Sequence, residues 1–278
     1  MRRSYDDRVM GLAAESAFFA VLSLFPGLLL IAAALGSLDQ LVGAAVAERS
    51  EVAVLTFLSR VLTDRASGVI EAVRDLFVRE RGGVLTTALL IGLWALSRGF
   101  AAVIRALDLI YGLRERRSRI LLIMTEIAFA LGSVIMLVVV LAMVVVGPLL
   151  GHGQALADRL GMGSLFSFAW DWLRAPVAFA LLVVWAATLY RLGPSHDASW
   201  TRCLPGALAA GVLWLMVSFG LRAYLLVVST VNQVFGVLGG GLILLVWLYL
   251  LNLSLLAGGE LNVVLNERRA RRLAPAGP

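Results

Sequence analysis

The stretch VLTTALLIGLWALSRGFAAVIRALDLIY (Val84–Tyr111) decides the fold. It is apolar except for Arg98, Arg105, Asp108 and small hydroxyl residues. Coiled as a helix at about 1.5 Å per residue, positions 84–97 cover only about 21 Å. That is short of a hydrocarbon core about 30 Å thick, so the span runs on to Arg105 and carries Arg98 well inside it. A guanidinium keeps its charge, and near the middle of a span it costs about 2.5 kcal/mol or more. Arg98 therefore needs a compensating partner, either from the protein or from a ligand.

The rest of the chain has the same character. Of its 278 residues, 60% are hydrophobic, against about half in a soluble domain. Six apolar segments stand out, at about 14–36, 84–106, 120–147, 176–192, 203–228 and 236–262. A bilayer forces each to satisfy its backbone internally, and none shows the alternation of a barrel strand. The expected fold is all-α, a polytopic six-transmembrane-helix bundle forming one domain over 1–267, followed by a flexible basic tail at 268–278. Pro176 and Pro205 suit the first turns of the fourth and fifth spans. The apolar stretch 17–35 is longer than the core of a signal peptide and reads as a retained first span. Within it, Pro26 either kinks the helix as a hinge or is simply tolerated. In the 37–83 connection, apolar residues recur at helical spacing between charges and end at Gly82-Gly83, which suggests two amphipathic helices. Trp170 and Trp172 suit a headgroup boundary at the end of the 148–175 connection.

Arginine placement orients the bundle. All 24 basic residues are arginine, and 13 of them fall on one side of a six-span chain: at the N-terminus, in the 113–119 and 191–202 connections, and in the tail. The opposite side has only Arg159 and Arg174 outside the long 37–83 segment, whose six arginines are offset by seven acids. Both termini are therefore expected in the cytoplasm. A single cysteine excludes an internal disulfide, and two histidines leave almost nothing for a metal site. No Walker loop, nucleophile elbow or zinc motif is present, so no catalytic residue or cofactor is expected. The arginines are scattered over short loops rather than gathered with stacking aromatics, which argues against nucleic acid as a partner.

Charges inside the spans form a layer toward the arginine-rich end. The second and third segments make a hairpin, which sets Arg98 roughly level with Glu126. Arg105 shares a helix face with Arg98, and Asp108 follows Arg105 by three residues. Glu15, Arg191 and Glu260 map to the same layer. One reading makes the layer a set of interhelical ties. The other makes Arg98, Arg105 and Arg191 a fork for an anion, with Glu126, Glu260, Asp108 and Glu15 balancing it. A second candidate lies in NQVFGVLGGG (232–241), where Asn232 and Gln233, with Pro26, suggest an outer gate or only a tight connection.

The ordered motifs AFFAVLSLFPGLLL (17–30), WALSRGFAAVIRALDLIYG (94–112), LYRLGP (189–194), LPGA (204–207), NQVFGVLGG (232–240) and GGELN (258–262) resemble the YihY/BrkB family. The resemblance implies a bacterial inner-membrane protein with six spans. Members once carried the name ribonuclease BN, widely regarded as misassigned. One branch is called a virulence or serum-resistance factor, and roles in transport or envelope lipid biology have been suggested. Phe18 and Phe19 stand where the family often has tyrosines, and Asp108 where asparagine is common. The expected activity is transport, or assistance to transport, of an anionic envelope component such as a lipid. The alternative is a structural or assembly protein whose charges only tie helices. A ribonuclease would need a clustered acid, histidine or metal set that this sequence lacks.

Overall fold

The computed structural model describes residues 8–23, 82–114, 117–141, 164–195, 198–227 and 232–273, and among them all regular structure is α-helical. The helices are α1 (residues 8–23), α2 (Gly82–Ile110), α3 (Arg119–Leu141), α4 (Ser164–Leu192), α5 (Trp200–Val227) and α6 (Asn232–Leu273). Helices α2 to α6 are each long and apolar enough to cross a membrane. The remainder of the first apolar segment, Pro26 and the expected amphipathic helices before Gly82 lie outside the described residues.

Packing follows the chain around a ring. Helix α2 packs on α3, α3 on α4, α4 on α5, α5 on α6, and α6 closes back on α2. Helix α1 lies along the α2–α6 seam. The Ser16 hydroxyl donates to Asn252 Oδ1 at 2.8 Å, and Phe19 meets Trp94 edge-on at 6.2 Å. Side chains are distributed as lipid requires. Leu90, Ile120, Met124, Ile135 and Met216 face outward, while the interior is dominated by alanines such as Ala102, Ala106, Ala186, Ala187 and Ala207. Small residues inside let helices approach closely where no water drives them together. On one side an aromatic series joins three helices: Phe100 stacks on Phe129 at 5.8 Å, and Phe129 meets Trp185 edge-on at 5.6 Å. Gly132 lies against the Trp185 ring, where a Cβ would overlap it.

Three boundaries differ from the sequence expectation. Pro176 and Pro205 lie inside α4 and α5 instead of opening them. A helix can run through proline in a membrane because neighbouring helices complete its broken ladder. Helix α6 continues through Arg268, Arg269 and Arg271 to Leu273 where a flexible tail was expected. The segment Asn266–Leu273 is rich in helix formers and meets no breaker before Pro275.

Gly206 on α5 and Gly258 on α6 bring their backbones close together. A Cβ on either glycine would overlap the other's carbonyl oxygen, and one on Gly258 would also lie 2.5 Å from Tyr190 Oη. The obstructing atoms are backbone, so they cannot swing aside. Gly258→Ala is expected to destabilise the protein by about 1–3 kcal/mol, seen as a lower thermal midpoint in detergent. Gly240→Ala, with open space at its Cβ position, should leave the midpoint unchanged.

Candidate functional site

Polar groups cluster at the end of the ring where α2 stops, α3 starts, α4 stops and α5 starts. Around Pro205 the helix ladder is interrupted, and Asn262 fills the break. Asn262 Oδ1 accepts from the Gly206 N–H at 2.7 Å, and its Nδ2 donates to the Cys203 carbonyl at 3.1 Å. Asn262 is only 1% exposed, so both bonds replace water it cannot reach. Beside it, Tyr190 is fully buried and donates its hydroxyl to the Leu255 carbonyl at 2.5 Å. Burial pushes the Tyr111 phenol, just beyond α2, up to about 12, with the Asn262 side chain partly opposing the rise. It is therefore neutral at physiological pH and adds no charge to the junction.

The connecting loops are fastened to the same junction. Helix α2 ends in a left-handed turn at Gly112 (φ 65°), with Leu113 N–H bonded to the Asp108 carbonyl at 2.8 Å and Gly112 N–H to that of Leu109 at 3.1 Å. This is the paired pattern of a glycine-terminated helix. Ser118 then caps α3 by accepting from the Leu121 N–H at 3.3 Å. Arg117 reaches the end of α4, where Nη1 donates to the Leu192 carbonyl at 3.2 Å and Nη2 to that of Gly193 at 2.6 Å. A cation there also faces the negative end of the helix dipole. The Asp108 carboxylate, buried at 8% exposure, accepts from the Ser195 N–H at 3.2 Å.

The residues of the expected charged layer fall into separate settings. Arg105 forms an ion pair with Glu15 of α1 at 2.5 Å, both side chains being part-exposed. The partner is thus not Asp108, which faces the α4–α5 loop. Arg191 lies over the Trp200 ring, 5.0 Å from its centroid, in a cation–π contact. Glu126 is buried on α3, and Glu260 is exposed on α6. Arg98 is half-buried within the span Leu90–Ile110, and among the described residues its guanidinium makes no ion pair or hydrogen bond. Arg98 and Glu126 are therefore not joined to each other. Asn232 and Gln233 open helix α6; the third expected gate residue, Pro26, lies outside the described residues.

Toward the middle of the bundle a cavity of about 180 Å³ lies among α1, α2, α4, α5 and α6. Its walls are mostly apolar, including Gly99, Phe100, Trp185 and Trp214, and its polar edge is the Ser16–Asn252 pair. Asn252 also donates to the Leu248 carbonyl at 2.8 Å, and Trp214 Nε1 donates to that of Leu251 at 2.8 Å. Sequence reasoning passed over Asn252, Asn262 and Tyr190. The available signal was an asparagine within an apolar span, which must find a partner on another element.

These features define a helical membrane protein with a polar junction at one end and an ionisable residue inside a span. The family model described as Virulence factor BrkB matches residues 1–277, and the chain belongs to that family. The ribonuclease-like protein YfkH of Bacillus subtilis (strain 168) is 29% identical over 258 residues, covering 92% of this chain and 90% of that protein. A UPF0761 membrane protein of Xanthomonas campestris pv. campestris (strain 8004) is 35% identical over 115 residues, 40% of this chain but only 26% of its own length. One from Xanthomonas oryzae pv. oryzae (strain PXO99A) is 36% identical over 97 residues, 35% of this chain and 22% of that protein. No solved structure matches.

Replacing Asn262 by leucine, of similar size, leaves the Gly206 N–H and the Cys203 carbonyl without their partner. The expected cost is about 1–3 kcal/mol for each group left unsatisfied, seen as a lower thermal midpoint. Glu260→Gln, two residues away and exposed, should leave the midpoint unchanged.

Proposed function

We propose that this protein is a non-enzymatic inner-membrane protein, with both termini cytoplasmic, that transports or helps to transport an anionic envelope component such as a lipid. The observation that supports this most is the state of Arg98. A permanent cation lies half-buried in a membrane span, and among the described residues no carboxylate pairs with it. An anionic headgroup would supply the missing partner, through the two-pronged bonding that guanidinium makes with phosphate or carboxylate. Arg105, seven residues on along the same helix, supplies a second guanidinium. Its ion pair with Glu15 is part-exposed, so an arriving anion competes with Glu15 for Arg105, and Glu15 favours release. Glu126 and Glu260 balance the charge of the unoccupied site.

A second reading, a structural or assembly protein, draws support from Asp108, Arg117 and Asn262, whose described contacts fasten loops and helices. The two readings differ at Arg98. The test is unbiased mass spectrometry of lipids that copurify with wild type and with Arg98→Gln. Loss of a charged hydrogen-bonding partner should lower the retained anionic lipid by roughly tenfold or more. Identical lipid profiles would contradict the headgroup site and leave the structural reading. Ribonuclease activity of the purified chain, measured alongside, should be no greater than that of the Arg98→Gln variant.

A further inference from the structure

A second cavity, of about 300 Å³, opens between α5 and α6 in the other half of the bundle. It is lined by Ser218, Leu221, Arg222, Leu225 and Trp247. Its position follows from the register of the two helices. Gly206 faces Gly258, two turns further on Trp214 bonds to Leu251, and one turn beyond that Ser218 and Trp247 share the cavity. The four α5 residues recur at spacings of three and four, so they occupy one helix face.

The polar chemistry of this cavity points one way. Trp247 Nε1 is buried and, among the described residues, has no hydrogen-bond partner. An indole N–H can only donate, so only an acceptor atom satisfies it. Arg222 adds a fixed positive charge and further donors, and Ser218 adds a hydroxyl. Among the described residues no carboxylate lines the cavity. A ligand here must therefore be an anion rich in acceptor oxygens.

Depth identifies its source. Arg222 lies about 33 Å along α5 from Trp200 at about 1.5 Å per residue, and the hydrocarbon layer is about 30 Å thick. The guanidinium is thus level with the phosphates of the leaflet opposite the arginine-rich junction, while Leu221, on the inner side of Arg222, suits the upper acyl region. We propose that Arg222, Trp247 and Ser218 form a binding site for the phosphodiester of a phospholipid in that leaflet. The site is separate from Arg98 and does not depend on transport.

The test is native mass spectrometry of the delipidated full-length chain titrated with dioleoyl phosphatidylglycerol. In an Arg98→Gln background, which removes the headgroup site proposed above, the chain should hold one tight lipid adduct whose affinity falls roughly tenfold when Arg222→Gln is added and roughly threefold when Trp247→Phe is added, which removes only the indole donor. Arg222→Lys should fall less than Arg222→Gln. Diacylglycerol with the same chains should bind at least roughly tenfold more weakly, because it lacks the phosphate. Unchanged affinity in both Arg222→Gln and Trp247→Phe would overturn the site, as would equal binding of diacylglycerol. Displacement of the lipid by millimolar inorganic phosphate would overturn the assignment to a lipid. Should Arg222→Gln lower the thermal midpoint markedly, the Trp247→Phe result decides, and unchanged affinity there would overturn the proposal.

Discussion

The bundle depends on how closely α5 and α6 approach at Gly206 and Gly258. With no Cβ on either residue, the two backbones come together at a distance that any side chain would prevent. That approach puts Asn262 within reach of the helix break beside Pro205 and sets Tyr190 against Leu255. The end of α4 is then fixed, and it becomes the surface on which Arg117 and Asp108 fasten the two connecting loops. In water such an assembly would draw on burial of large apolar side chains. Here those side chains face lipid, so close backbone contact and satisfied interhelical hydrogen bonds carry the association instead.

The ionisable groups sort by what surrounds them. Arg117, Asp108 and Arg191 lie at the junction and are used on carbonyls, an amide and an indole ring. Arg105 and Glu15 form a part-exposed pair that another charge can enter. Arg98 and Arg222 lie within spans without an ion-pair partner among the described residues. At the depth of Arg98 a fixed charge is costly, whereas Arg222 is exposed near the end of its span. Arg98 lies near the middle of its span, about 18 Å from the Ile110 end at about 1.5 Å per residue, whereas Arg222 lies near the far end of α5.

Much of the helical architecture was legible in the sequence because lipid imposes it. Each segment must be long, apolar and self-satisfied in its backbone, and residues such as Leu90, Ile120 and Met216 record that requirement directly. What sequence could not supply was the register between helices. The motifs LYRLGP, LPGA and GGELN read as three separate signatures, yet Tyr190, Gly206, Gly258 and Asn262 meet at one point. Spacing along one helix placed Asp108 beside Arg105, but the carboxylate that reached Arg105 was Glu15, from an element 90 residues away. Proline reading failed for a related reason. Pro176 and Pro205 look like helix starts to a chain read alone, and at Pro205 it is a side chain from α6 that lets the helix continue. The bend at Pro26 and the amphipathic pattern before Gly82 lie outside the described residues.

The central claim is that Arg98 contacts an anionic lipid phosphate while Arg117 serves the protein. Solid-state NMR of the protein in phosphatidylglycerol bilayers, reading dipolar coupling between guanidinium nitrogens and lipid phosphorus, tests it directly. The expected result is a phosphorus-coupled guanidinium signal that disappears in Arg98→Gln, while the signal lost in Arg117→Gln shows no such coupling. A wild-type spectrum whose phosphorus-coupled signals all survive Arg98→Gln would contradict it.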